Sequence, residues 1–484
     1  MTTFNTPIWV HNAVFYQIFP DRFAFSQEVV KPTNLEKWDL PPTVYGFKGG
    51  DLLGVLEKLD YLQDLGINAI YFNPIFQSAC SHRYHTHDYY QVDPLLGGNT
   101  AFARLLKEAH RRGIRIVLDG VFNHASRGFF QFNHILENGP ASPYIDWFEI
   151  KGCPLNAYGP GRANYRCWVD LPALPELNVR NPQVRQFILD IAHYWLEQGI
   201  DGWRLDVPFC IDDDSFWQEF RGVVKSANPE AYIVGEVPWE AQRWLQGDQF
   251  DAVMNYQFTQ ACVGFFAGEH MNRHYEKGIM GLPDTQVMDA PAFARRAEAL
   301  LGLYPQPVAL AQLNLLDSHD MPRFLSIAGG NKDTLKLAAL FMLTYPGAPC
   351  VYYGDEIGLQ NGPTRTPEDC RFSFPWDQTL WDQDLRAHYQ RCIALRHAHP
   401  ALRTGSFQVV HALGGQVAFL RQLEGQSLLI AINNGMEAWG LELAVQAAQG
   451  AARGLLHGWD AQIRGERLSG VSLPPRSGEV FRLS

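Results

Sequence analysis

Four apolar runs in this chain each lead into a carboxylate: IRIVLDGVFNH at Asp119, GWRLDV at Asp206, AYIVGEV at Glu236 and NLLDSHD at Asp320. Each run has the continuous apolar character of a strand covered on both faces. An acid where such a strand stops is poorly placed for a core and well placed for chemistry. Several acids meeting there suit acid/base work on a polar, uncharged substrate, and sugars lead that class. Glycoside cleavage needs one carboxyl to protonate the leaving oxygen. It needs a second carboxylate to attack the anomeric carbon or to activate water. Glu236 suits the acid role, because desolvation after AYIVG raises a carboxyl pKa. Arg204 lies two residues before Asp206, on the same strand face. Its guanidinium is expected to hold Asp206 ionised, as a nucleophile requires. Asp320, after His319, is suited to bind sugar hydroxyls and to stabilise a distorted ring.

The elements that must position these acids alternate between strand and helix patterns. AVFYQIF, INAIYFNPI, IRIVLDGVF, IDGWRLDV, AYIVGEV, FDAVMNY, QLNLLDSH and APCVYYGDEIG read as eight strands. Between them, AFARLLKEAHRRG carries Phe102, Leu105, Leu106 and Ala109 at helical spacing, and a second helix enters through Pro182 with Val184, Phe187, Ile188, Ile191 and Trp195 in a stripe. LLGVLEKLDYLQDLG and EAQRWLQG are read as helices too. Eight strands each followed by a helix predict an α/β fold, a closed (β/α)8 TIM barrel, with chemistry at the C-terminal ends of its strands. Residues 1–124 are the first part of that barrel. Residues 125–180, rich in Gly, Pro, Asn and aromatics and without a helix pattern, form an insertion after strand three. Residues 181–403 complete the barrel. From 404 to 484, alternating strands with Gly-rich turns predict a C-terminal β-sandwich.

Bulk composition limits the function classes. A net charge of −11 argues against a nucleic-acid or anionic-membrane partner. The N-terminus has no basic region and no long apolar span, so neither a secretory signal nor a membrane segment is expected. Eight cysteines without CxxC spacing suit reduced thiols in the cytoplasm. The aromatic excess of 13 Trp, 19 Tyr and 30 Phe fills core and also offers rings to stack on sugars.

DGVFNH, GWRLDV, GEV and LLDSHD, in that order, resemble the four signature regions of the alpha-amylase family of glycoside hydrolases. The resemblance implies a retaining mechanism with Asp206 as nucleophile, Glu236 as acid/base and Asp320 as transition-state stabiliser. It implies that His124 and His319 bind hydroxyls of the cleaved sugar, that Tyr84 is the platform beneath it, and that Arg204 orients Asp206. It also implies that Asp119 and Asn123 brace the floor. WVHNAVFYQIFPDRF, GGDLLGV, HDYYQVDP, LPELN and GDQFDAVMNY resemble the cyclomaltodextrinase, neopullulanase and maltogenic amylase group. Members of that group usually carry an extra N-terminal β-domain. Here the first barrel strand begins near residue 13, so that domain is expected to be absent, the group's dimer is in doubt, and a more open site is expected. The implied substrates are cyclodextrins, maltooligosaccharides or pullulan, cut at α-1,4 bonds, with α-1,6 cleavage and sugar transfer left open. A dedicated α-1,6 debranching enzyme and a non-catalytic carbohydrate-binding homologue are the rivals.

Departures from the group fall around the acceptor and donor sides. Pro238 stands where the group has Trp, and Trp239 follows as the candidate acceptor-side ring. Cys210 replaces a frequent Glu. In TPEDCR, Arg371 matches a donor-side sugar binder, while the usual Asp is Pro367 and Asp369 is a candidate substitute. No cofactor is expected. The calcium loop of relatives reads AFSQEVV here, leaving Asp51 alone, and a hard cation wants six or more oxygens. His82, His85, His87 and Asp88 lack a structural zinc spacing. Asp212, Asp213 and Asp214 read as a solvated helix start.

Overall fold

The computed structural model describes residues 4–275, 285–364, 366–447 and 449–483. Eight parallel strands form its centre: β1 (Phe15–Ile18), β2 (Ala69–Phe72), β3 (Arg115–Gly120), β4 (Gly202–Leu205), β5 (Tyr232–Gly235), β6 (Ala252–Val253), β7 (Leu313–Leu315) and β8 (Ala348–Tyr352). Their hydrogen-bonded order runs β6-β5-β4-β3-β2-β1-β8-β7. A parallel bridge from Met254 to Leu313 joins the two ends, and Asn255 N–H donates to the Leu313 carbonyl at 2.8 Å. The sheet is therefore a closed barrel. Apart from Arg115, which begins β3, all its strand residues are buried. That matches the unbroken apolar runs of the sequence, since helices cover the outside and side chains fill the inside. Gly202 permits the close approach of β4 and β5: a Cβ there would lie 2.3 Å from the Tyr232 carbonyl oxygen.

The covering helices follow their periodicity. Helix Gly98–Arg111 buries Phe102, Leu105, Leu106 and Ala109, and helix Pro182–Glu197 buries Val184, Ile188, Ile191 and Trp195, with Phe187 only half-buried beside them. Asn181 caps the latter by accepting from Gln183 N–H. Two expected helices differ. The first divides at Lys58 into Leu52–Glu57 and Leu59–Leu65. EAQRWLQG forms only a 3-10 turn, Gln242–Trp244; it buries Ala241, Trp244 and Leu245, too few apolar positions for a docked helix.

The stretch after β3 shows no helix pattern in its sequence, yet Phe130–Asn138 is helical and docks through Phe132 and Ile135. Two anchors at i and i+3 are too short a stripe to stand out from the surrounding Gly and Asn. Bridges between His124 and Glu176 and between Phe148 and Leu177 tie this stretch back to the barrel rim. After the barrel, strands from Ser406 to Arg482 build an eight-stranded antiparallel sheet and a separate two-stranded one. They enclose their own apolar cluster, including Leu429, Trp439, Ile463 and Phe481. Arg421, fully buried, joins this domain to the barrel by donating to the carbonyls of Thr344 and Leu402.

Candidate active site

The strand ends at the C-terminal rim converge on a cavity of about 1210 Å³, lined among others by Tyr84, His124, Asp206, Glu236, Asp320 and Arg371. Arg204, the third residue of β4, points inward and is fully buried. Its Nη1 donates to both oxygens of Asp119 at 2.8 and 3.0 Å and to Asp206 Oδ1 at 3.0 Å. Its Nη2 stands 2.6 Å from Glu236 Oε1. One guanidinium thus ties together acids from the ends of β3, β4 and β5. Such a fork holds planar carboxylates in fixed directions.

Electrostatics follow from crowding. Burial pushes the Glu236 carboxyl above the usual range, against the pull of Arg204 and with the push of Asp320. That direction is the one the sequence suggests. Asp206 departs from its expectation. Burial, together with Glu236, Asp119 and Asp320, pushes its carboxyl well above the usual range, and Arg204 does not outweigh them. The reason is stoichiometric. Arg204 is shared among three acids, so no single one receives its full charge. A buried group of this kind retains a proton between its members. Asp320 behaves oppositely: burial raises its carboxyl, but His319, Arg371 and Arg204 together hold it well below the usual range.

The aromatic and histidine groups are equally tied in. Tyr84 lies parallel to His319, with ring centroids 5.5 Å apart, and its hydroxyl donates to Asp119 Oδ2 at 2.9 Å. His319 Nδ1 receives the Gln17 amide at 2.8 Å, which places the ring proton on Nε2, facing Asp320 Oδ2 at 2.8 Å and the Tyr84 hydroxyl at 2.7 Å. Asn123 donates to His124 Nδ1 at 3.2 Å, leaving His124 Nε2 as a buried donor with no protein partner. An orphaned donor of this kind on a cavity wall suits a substrate hydroxyl. Burial holds His124 neutral, its pKa pushed down to about 3.

Arg371 lines the cavity, and each of its three nitrogens holds a protein group. Its Nη2 binds Asp320 Oδ1 at 2.9 Å, its Nη1 binds Glu368 Oε1 at 2.9 Å, and its Nε donates to the His319 carbonyl at 2.8 Å. These contacts make Arg371 a positioning residue for Asp320. Glu368, not Asp369, is the acid that pairs with it, and the same Glu368 holds the buried Arg22 at 2.9 Å. Asp369 lines the cavity beside Thr364. Trp239 is half exposed and packs on Phe209 at 4.6 Å, outside the cavity lining. Asp51 caps helix Leu52–Glu57 and pairs with Lys31 Nζ at 3.0 Å, so a tethered ammonium already answers its charge. Asp213 caps helix Asp214–Ala227, while Asp212 and Asp214 pair with Arg243.

Several residues of the site escape a reading of the sequence. Tyr256 donates to Glu236 Oε1 at 3.2 Å, Tyr71 donates to Asp119 at 2.9 Å, and Asn73 donates to the Tyr84 hydroxyl at 3.1 Å. Trp168, from the insertion, stacks on His124 at 5.3 Å. Only Gln17 and Asn73 leave a trace, as polar residues in or beside otherwise apolar strands.

The alpha amylase catalytic-domain family matches residues 17–405. A cyclomaltodextrinase from Bacillus sp is 45% identical over 89% of this chain and 74% of its own length. The Nostoc punctiforme debranching enzyme in its native form is 48% identical, with a TM-score of 0.90 over 99% of this chain and all of that one. Ttha1563 from Thermus thermophilus is 46% identical, with a TM-score of 0.93 over 98% of this chain and all of that one. With its strand-end acids gathered on one arginine and four fifths of its length matched by that catalytic domain, this chain belongs to the alpha-amylase family.

Proposed function

We propose that the chain is a retaining α-glucan hydrolase acting on α-1,4 bonds of cyclodextrins, maltooligosaccharides or pullulan. The observation that carries this reading is the bridging of Asp119, Asp206 and Glu236 by one buried guanidinium at the floor of an open cavity. In the first step, Asp206 attacks the anomeric carbon as the glycosidic C–O bond breaks. Glu236 gives its proton to the leaving oxygen. In the second, Glu236 takes a proton from water, which attacks the same carbon and releases Asp206. The pair needs one proton between its two members, and the crowding around Arg204 supports its retention. Asp320, held ionised by His319 and Arg371, is the hydroxyl binder and charge stabiliser. His124 offers its unpartnered Nε2 to a sugar hydroxyl, His319 holds Asp320 and Tyr84 in place from behind the cavity wall, and Tyr84 forms the platform.

The reaction as written needs no metal. Eight free cysteines support a reducing, cytoplasmic setting. Among the described residues, no helix is long and apolar enough to cross a membrane.

A second reading, α-1,6 debranching, is favoured by the likeness to the Nostoc enzyme over the whole of both chains. A time-resolved product profile on β-cyclodextrin, pullulan and panose separates the two. Rapid ring opening, panose from pullulan, and isomaltose plus glucose from panose are expected for α-1,4 cleavage. Maltotriose from pullulan and maltose plus glucose from panose, with little cyclodextrin turnover, would replace the first reading by the second. No turnover on any of the three would sink both.

A further inference from the structure

One group of donor atoms at the cavity wall is not used by the mechanism above. Cys80, His82 and His85 place three ligand atoms within 4.8 Å of one another, all half-buried. His82 and His85 line the glucan cavity, and their rings meet edge to face at 5.0 Å. The sequence offers His82, His85, His87 and Asp88; the fold instead gathers Cys80 with the first two.

Local geometry explains the gathering. Arg83, between the two histidines, has φ of 58°, a left-handed conformation that a non-glycine residue adopts at some cost. Its guanidinium is anchored at 3.1 Å to Asp93 and at 2.6 Å to the Ser81 carbonyl, which over-determines the turn. This turn folds residues i, i+2 and i+5 toward a common point. Strain held in place beside a cavity is a frequent mark of a binding feature.

The donor set has the chemistry of a soft or borderline divalent cation. A thiolate and two neutral imidazoles suit zinc, and a three-residue set leaves a fourth position for water or substrate. Burial keeps both rings in the ligating, neutral form: His85 is pushed down to about 4 and His82 well below its usual value. Burial holds the free Cys80 thiol up at about 11, while Arg83 and Arg127 act in the direction of its thiolate. The same two cations oppose a dication, which sets the affinity below that of a structural zinc site. In a tetrahedral zinc site, ligand atoms stand about 3.5 Å apart, so closure needs movement on the order of 1 Å.

We infer that Cys80, His82 and His85 form a zinc-binding site on the cavity wall whose occupation inhibits glucan turnover. His82 links the two sites. Its Nδ1 accepts from the Tyr84 backbone N–H at 3.2 Å, and its ring stacks near that of Tyr84 at 5.9 Å. A metal on His82 competes with this hydrogen bond or fixes the opposite tautomer. Either change acts on the residue that faces His319 and Asp119. Because His82 and His85 line the cavity, a metal held between them would border the space a sugar needs.

The inhibitory half rests on the hydrolase reading; the binding half does not. The test uses the full chain, stripped with a chelator and titrated with Co²⁺ as a spectroscopic probe, then with Zn²⁺. One equivalent should give a thiolate-to-cobalt charge-transfer band that zinc abolishes. Cys80→Ser and His85→Asn should each lose the band. Cys80→Ser should hydrolyse like the parent in metal-free buffer, and should need more than about tenfold more zinc for half-inhibition. No band, or a band that survives in Cys80→Ser, overturns the site. Binding that leaves turnover unchanged overturns the inhibition. A protein without hydrolase activity fails the earlier reading, while the spectra still decide whether zinc binds here.

Discussion

Among the described residues, two of this barrel's buried acid clusters differ in their access to solvent. The first gathers Asp119, Asp206 and Glu236 around Arg204 and opens to the cavity. The second gathers Asp355 and Arg323, at 2.9 Å, near Asp317 and Glu356. In the second, Glu356 accepts from the hydroxyls of Tyr16 and Tyr61 at 2.8 and 2.5 Å, and Arg323 lies over Tyr352 at 4.4 Å. Both clusters sit at or just past strand ends, and both raise the pKa of their acids by burial. The second does not line the cavity. A buried, perturbed carboxylate is thus a candidate for catalysis only where solvent and substrate reach it. In this enclosed cluster, Asp355 pairs with Arg323, the Tyr352 ring faces the guanidinium and two tyrosine hydroxyls bind Glu356, and its contribution is to the fold.

The sharpest separation comes from Asp206→Asn. Turnover should fall by roughly 10⁴-fold or more, with folding retained. Its stability effect has a defined sign. The folded-state pKa of Asp206 is raised, so its protonation stabilises the fold at acid pH, and that contribution is lost as pH rises through the folded value. The amide carries no such loss. The variant's melting temperature should therefore gain on the parent as pH climbs above the ordinary carboxylate range. Wild-type turnover, or a gap that narrows with pH, would break the assignment.

Asp355→Ala should show the reverse pattern. Removing the partner of a buried guanidinium destabilises by about 3 kcal/mol or more, read by denaturant unfolding. The protein that remains folded should keep nearly parental kcat. A large kcat loss without destabilisation would erase the contrast between the clusters.

Arg371→Leu tests a residue that borders the open cluster without belonging to it. Asp320 loses its ion pair with an arginine, and kcat should fall by about 100-fold through misplacement. KM for short maltooligosaccharides should change much less, since the contacts of Arg371 run to Asp320, Glu368 and the His319 carbonyl. A KM effect larger than the kcat effect would restore the direct binding role. Tyr256→Phe should be mildest. Loss of one hydrogen bond to Glu236 costs about 1 kcal/mol, or roughly fivefold in kcat. Removal of a donor to the charged carboxylate raises its pKa, so the alkaline limb of the rate profile should move up.

The strands, and the acids that follow them, can be read from the order of residues alone. Continuous apolar runs have one economical use in a long α/β chain, and a carboxylate just past such a run falls at the rim. Asp119, Asp206, Glu236 and Asp320 are legible for that reason, as are the helices with four or more apolar positions in register. How charge is shared emerges only in the folded barrel. The number of acids around Arg204, the capture of Arg371 by Asp320 and Glu368, and the meeting of Tyr256 with Glu236 depend on residues distant in sequence. So do the access that separates Asp206 from Asp355 and the docking of Trp168 on His124. Periodicity reports which face of an element is buried; it carries no record of which polar groups meet across the barrel, and burial in a low-dielectric interior makes those meetings set the pKa values.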